Sequence, residues 1–578
     1  MNRSILQRAR KAIFHPLVFA TFPILSLFVQ NMGKGYLRQA ALFTAGAIVL
    51  CLMLWLLINL LIKDWERSAL VVSAFLLLFF FFGHARSAVD VLLAKLNLQD
   101  KAMVLLHSNS ATSGWLVLWG LLFAIACLVI LRLLRKAEVA TQALNLMSLA
   151  LLVTVGVNAV TASGILENLT PRISELDSAR GTTTSPGVSI AREDAFTMFL
   201  PIVNSTKVEM SDVDARDDYA DRYRDLWLDG VEAGSQTLSS PPDIYYIILD
   251  RYVRSDYLKE IFGFDNSGFL ASLESRGFFV ADRSRANYAY TINSLASSLN
   301  FMHLDELIAR QSELVSLDFS RAHWFLAAMI RDSRAMSYLH DRGYRTMAFD
   351  TGFWFTELED ADVYIEPPVS WLGVGEFQLG LLDLTPLSTI PSLRRTRDDA
   401  SRQRVLYPLE HIVDATADNE PTYVFAHIIS PHDPYVFGAN GEPVQSQAHY
   451  TYDEYLEAYK NQVAHINTRV VQLIDEILAQ SPSPPVIIIQ GDHGTCYGTN
   501  SEFDPCMGER MSILNAYYFP DQDYSDLYDD ITPVNTFRIV FNKFYGTDYP
   551  LLDDRSYYSR PGSLFILTDV TDRVSGDD

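Results

Sequence analysis

The sequence predicts an α/β domain, a mostly parallel sheet sandwiched by helices, preceded by an all-α bundle of five transmembrane helices. Three observations carry this reading. The long apolar runs lie before about residue 165; three short apolar runs farther along end at acids or histidines; and amphipathic helical patterns separate those short runs. With 578 residues the chain exceeds one ordinary core, so more than one folding unit is required.

A bilayer-spanning helix needs about 20 mainly apolar residues. Residues 12–29, 40–62, 68–83, 115–134 and 144–162 meet or approach that length. The first run follows Arg3, Arg8, Arg10 and Lys11, but no small-residue cleavage site follows it and more spans do, so it is read as retained rather than as a signal peptide. Lys and Arg in short connections stay cytoplasmic. An internal N-terminus puts nine of them inside (Arg3, Arg8, Arg10, Lys11, Lys63, Arg67, Arg132, Arg135, Lys136) and five outside (Lys34, Arg38, Arg86, Lys95, Lys101). An odd number of spans then exports everything after about residue 164. The expected division is a bundle over 1–164, a polar acidic linker over 165–240 and an extracytoplasmic domain over 241–578.

A formal charge of -23 argues against nucleic acid, whose phosphates need a basic face. Cys51 and Cys127 fall in apolar runs, where a small soft side chain packs. Cys496 and Cys506 lie in a polar stretch, where a disulfide is a better reading than a zinc site because neither belongs to a CxxC pair.

Beyond the linker, residues 243–250 (DIYYIILD) read as a buried strand ending on Asp250. Residues 423–429 (YVFAHII), leading to Pro431 and His432, and 486–490 (VIIIQ), leading to Gly491-Asp492-His493-Gly494, have the same form. Helical patterns cover Val463 to Ile477, running toward Pro482, and roughly residues 323–339. Strands alternating with helices give a parallel sheet covered on both faces, and ligands bind at the carboxyl edge of such sheets.

That edge gathers chemistry. Asp250, Asp492 and His493 offer two carboxylates and an imidazole, a donor set suited to Zn, Mn or Mg. Taken singly each has a plainer role, since acids after strands often cap the next helix. Thr291 opens an apparent helix with Leu295 and Leu299 on one face, which makes it a nucleophile at a phosphate-binding helix N-terminus or a simple N-cap. Glu502, Asp504 and Arg510 are candidates for the wall of the site. His427, five residues before His432, could line the same pocket, but is read in preference as a strand histidine facing the core.

The segments PDIYYIILDRY, NYAYTINSLASSLN, SPHDPY and IIIQGDHG, in this order behind a membrane bundle, resemble the sulfatase-like membrane phosphotransferases of the alkaline-phosphatase superfamily. Lipoteichoic acid synthases and phosphoethanolamine transferases are familiar members. The resemblance covers about residues 240–550. It implies an alkaline-phosphatase/sulfatase-like mixed sheet and one divalent metal ion held by Asp250, Thr291, Asp492 and His493. Thr291 would be the nucleophile, and His432 would contact the phosphate or the leaving group. Members with two tightly bound zinc ions have a further histidine after the Asp-His pair; this chain has none, so one strong metal site is expected. Arg251 stands where glycine is commoner, as a phosphate contact or a surface side chain. The C-x-P-x-R and S-x-P-x-R sequences of formylglycine sulfatases are absent.

The expected activity is transfer of a phosphoglycerol- or phosphoethanolamine-type head group from a phospholipid donor to an envelope glycan or lipid acceptor, through a phosphothreonine. The expected location is the bacterial inner membrane. Alternatives are a membrane-anchored phosphodiester or sulfate ester hydrolase, and a non-catalytic envelope scaffold.

Overall fold

The computed structural model describes residues 12–30, 37–95, 109–162, 224–228 and 241–575, apart from 318, 368–375, 418–419, 448–449, 498–505 and 561. Most of the expected linker, and the wall candidates Glu502 and Asp504, lie outside the described residues. The chain forms two compact units, one comprising residues 1–217 with 373–394, the other 218–372 with 395–578.

In the first unit the helices are His15–Gln30, Leu37–Ile62, Trp65–Lys95, Asn109–Leu128 continued by the π-helical Val129–Leu133, and Ala137–Ala162. Four contain stretches long and apolar enough to cross a membrane, and His15–Val29 is a shorter apolar helix. Polar side chains lock the bundle where backbone groups would otherwise be left unpaired. Asn145 Oδ1 accepts the Phe14 and His15 N–H groups (3.2 and 3.1 Å), capping the first helix. The Arg67 guanidinium donates to the carbonyls of Ile130, Leu131 and Leu134 (3.0, 2.7 and 3.1 Å) at the end of the fourth.

The second unit is built on a seven-stranded sheet. Its strands are β1 (Ile244–Leu249), β2 (Phe279–Val280), β3 (Arg345–Phe349), β4 (Val363–Ile365), β5 (Thr422–Ile428), β6 (Val486–Gly491) and β7 (Asn515–Tyr518), in the order β2-β7-β6-β1-β5-β3-β4. β6, β1, β5, β3 and β4 are parallel, while β7 runs antiparallel to β6 and β2 antiparallel to β7 at one side, giving the mixed sheet. β1, β5 and β6 are buried along their whole length, which is why they read as unbroken apolar runs rather than alternating ones.

Register sorts the side chains by face. Tyr246 and Ile248 of β1 lie level with Ile488 and Gln490 of β6, and pack under the helices Thr291–Asn300, Phe319–Arg331 and Thr536–Tyr545. Tyr245, Ile247 and Leu249 pack on the other face under Tyr452–Gln480. That long helix starts in a capping box of Thr451 and Glu454. The single helix expected over residues 323–339 is two, Phe319–Arg331 and Arg334–His340. The chain breaks at Ser333, whose Oγ accepts the Met336 N–H, while Asn300 Oδ1 accepts that of Arg334; side-chain caps outcompete helix continuation there.

Candidate functional site

The parallel register brings the strand-end acids together. Leu249 pairs with Gly491, so the following residues, Asp250 and Asp492, stand side by side and point to the same face. Both are buried. Leu249 also pairs with Ile428, so His427 lies one pleat back on that face of β5. The structure corrects its reading as a core histidine: His427 Nε2 is 3.0 Å from Asp250 Oδ2, and its Nδ1 is 3.1 Å from Thr356 Oγ1. Asp250, His427 and Asp492 each offer a ligand atom within 4.8 Å of the others.

Asp250 Oδ1 and Asp492 Oδ2 are buried without a hydrogen-bond partner. Burial of an unpaired carboxylate oxygen is costly, and a divalent cation between the two acids relieves it. The donor set of two carboxylates and two imidazoles therefore fits such an ion. Burial would raise Asp250, but the His432 and His427 imidazoles hold it well below the usual carboxylate range.

His493 adds the second imidazole. Its Nδ1–H donates to the Gly494 carbonyl (2.6 Å), which fixes the tautomer and turns the Nε2 lone pair toward Thr291 Oγ1 (3.2 Å) and Asp492 Oδ2 (3.5 Å). Burial pushes its pKa below the ordinary histidine value, against the pull of Asp492 and Asp250. Gly494 permits this turn because a Cβ there would meet the Ser512 carbonyl at 3.0 Å and the Glu509 carbonyl closer still.

Thr291 is the first residue of the ten-residue helix Thr291–Asn300, one position past its N-cap, Tyr290. Ile292 to Asn300 are all buried while Thr291 stays partly open. Ser294 Oγ donates to the Asp492 carbonyl (2.6 Å), tying the helix start to the Asp492-His493 turn. The hydroxyl thus sits at a helix N-terminus with free N–H groups beside it and an imidazole in contact.

Arg251 follows Asp250 with φ +62°, a left-handed conformation that non-glycine residues adopt at a cost. Its N–H donates to Asp492 Oδ1 (3.0 Å) and its carbonyl accepts the Tyr459 hydroxyl (2.7 Å), so the strained turn is held from both sides. Its guanidinium pairs with Asp433 at 2.8 Å. His432 is next to Asp433, donates Nδ1–H to its carbonyl, and has its ring 5.6 Å from that of Phe353. Arg510 lies with its guanidinium 5.8 Å from the Tyr290 ring, beside the site, and Cys496 and Cys506 are disulfide-bonded.

Residues 266–542 match the sulfatase family model. No curated protein matches the chain. Among solved structures, the C-terminal periplasmic domain of EcEptC from Escherichia coli is similar at 14% identity, with 58% of this chain and 94% of that one covered and a TM-score of 0.37. The integral membrane protein lipooligosaccharide phosphoethanolamine transferase A (EptA) from Neisseria meningitidis is similar at 11% identity over 92% of this chain and 94% of its own, with a TM-score of 0.37. The lipoteichoic acid synthase LtaP from Listeria monocytogenes is similar at 12% identity over 60% and 82%, with a TM-score of 0.32. Likenesses of this degree assign no activity. The family-model match takes in β2 to β7 together with Asp492 and His493, while β1 and Asp250 precede it.

Proposed function

We propose that the chain is an inner-membrane phosphotransferase that moves a phosphoryl-linked head group from a phospholipid to an envelope glycan or lipid through a phosphothreonine at Thr291. The observation that supports it most is Thr291 Oγ1 at 3.2 Å from the His493 Nε2 lone pair, at the open start of a buried helix and beside two buried, unpartnered carboxylate oxygens. One divalent ion, Zn, Mn or Mg, held by Asp250, Asp492, His493 and Thr291 with His427 in reach, would supply Lewis-acid polarisation of the phosphoryl oxygens and of the nucleophile.

Thr291 Oγ attacks phosphorus and gives up its proton to solvent at the open start of the helix, while helix N–H groups and Arg251 face the negative phosphoryl oxygens. The bond from phosphorus to the lipid alcohol breaks as that oxygen takes a proton from His432 Nε2; Nδ1–H stays on the Asp433 carbonyl and fixes the ring. In the second half His432 takes the proton of the acceptor hydroxyl, which attacks the phosphothreonine and frees Thr291, whose oxygen regains a proton from solvent. The membrane helices support a lipid-borne donor and an envelope acceptor, and the Lys and Arg bias supports an exported C-terminal unit.

The test is turnover of a head-group-labelled phospholipid by the purified protein in detergent. Label trapped on Thr291, lost in Thr291→Ala, and passed to a glycan or lipid acceptor is the expected result. Labelled head group released without any acceptor adduct overturns transfer in favour of hydrolysis; undiminished turnover in Thr291→Ala overturns the nucleophile.

A further inference from the structure

Residues 373–394 lie in sequence within the C-terminal half, yet they belong to the compact unit of the membrane helices. The chain leaves the sulfatase-like unit after Leu372 and returns to it at Arg395. We infer that this excursion is a second membrane tether: a short apolar plug that docks on the ends of the first three membrane helices and anchors the sulfatase-like unit independently of the 165–240 connector. It goes beyond the proposed activity and does not depend on it.

The fit is built from both sides. Within the excursion, the helix Glu376–Asp383 buries Phe377, 2% exposed, in a cluster with Ile24, Leu27 and Ala40, against which Phe28, Ala47 and Leu381 also pack. The Phe377 ring is 6.2 Å from that of Phe43. Two glycines provide the close approach. A Cβ at Gly83 would strike the Asp383 carbonyl, and the Gly83 N–H donates instead to the Leu384 carbonyl at 3.1 Å. A Cβ at Gly380 would lie 3.3 Å from a Leu27 methyl group.

These contacts share one level of the bundle. Residues 24–28 close the helix His15–Gln30, residues 40–47 open Leu37–Ile62, and Gly83 is near the end of the apolar stretch Trp65–Arg86. They are the ends that the Lys and Arg count places outside, the side on which the following domain is expected. An eight-residue helix is about 12 Å long, far short of a bilayer core, so the excursion docks and does not span. Beyond it Leu387 and Ile390 are each 39% exposed, apolar side chains suited to the boundary between head groups and acyl chains. The excursion therefore ties the sulfatase-like unit to the bundle through side-chain packing.

The test inserts a protease site between Thr184 and Ser185 in the full-length protein, cleaves it in isolated membranes, and washes them with high salt. The wild-type C-terminal fragment is expected to sediment with the membranes. With Phe377→Asp and Leu381→Asp together it is expected in the supernatant. The variant Gly83→Leu, which leaves the fragment's own sequence untouched, is expected to release it as well, so loss of folding in the fragment cannot account for the result. Release of the wild-type fragment, or retention of the fragment in Gly83→Leu, overturns the tether.

Discussion

At the scale of the residue, the meeting of the strand-end acids was legible because it follows from strand register: an acid that closes each of two adjacent parallel strands meets its counterpart. His427 was not, because β5 is buried on both faces and alternation cannot say which face matters. The signal lay in the pairing, since only alignment with β1 puts His427 on the face of Asp250. His427→Ala is expected to weaken divalent-metal binding by about 10–100-fold, whether the imidazole ligates the ion or orients Asp250. Metal competition against a chelating dye measures it; unchanged affinity would leave His427 a bystander. His432 is testable separately. As the donor to a departing alcohol, His432→Ala is expected to lower kcat for alkyl phosphodiesters by about 10²–10⁴-fold and to spare p-nitrophenyl esters, whose leaving group needs no proton. An equal loss on both substrates would mean that His432 shapes the site instead.

At the scale of the element, the helix Thr291–Asn300 shows how packing positions chemistry. Its amphipathic spacing was readable, and Leu295 and Leu299, each 1% exposed, pin it to the sheet. Leu299→Ala is expected to cost about 2–5 kcal/mol by removing buried methyl groups and leaving a cavity. Denaturant titration of the C-terminal unit measures that loss, and a value near zero would mean that the helix is held by its polar contacts. The helix break at Ser333 was not readable, because it depends on Asn300, a residue brought there only by the fold. Another element end carries a pH response. Lys543, in the last turn of Thr536–Tyr545, pairs with Asp523 at 3.0 Å. Its ammonium hydrogen bond, followed by that of Ser525, depresses the Asp523 carboxyl to about 2. A depressed carboxylate stabilises the fold above its unfolded value of 3.8 and loses that contribution as pH falls toward 2. Asp523→Asn is expected to lower Tm at pH 6 and to converge with wild type between pH 4 and pH 2 in calorimetry. A difference independent of pH would assign the effect to packing.

At the scale of the whole molecule, the sequence divides by solvent, and the hydropathy that separates the apolar helices from the α/β half was plain from the start. The interleaving of the two units was not. No hydropathy window marks the segment 373–394, because its eight-residue helix is less than half a span and looks like any amphipathic turn of a soluble domain. Two units with separate cores need not unfold as one, and the second contains Asp250 and Asp492, each with one buried carboxylate oxygen that lacks a hydrogen-bond partner. An ion that binds only the folded form stabilises it by about 2.7 kcal/mol at a hundred times its Kd. Calorimetry of the full chain in detergent is therefore expected to resolve two transitions, of which chelation lowers one and leaves the other in place. Asp492→Asn is expected to make the sensitive transition indifferent to added metal, because it removes one of the carboxylates that the ion relieves. If chelation moved both transitions together, the units would be energetically coupled; if it moved neither, the orphaned carboxylates would have to be stabilised by something other than a metal, and the ligand assignment would fall with the mechanism built on it.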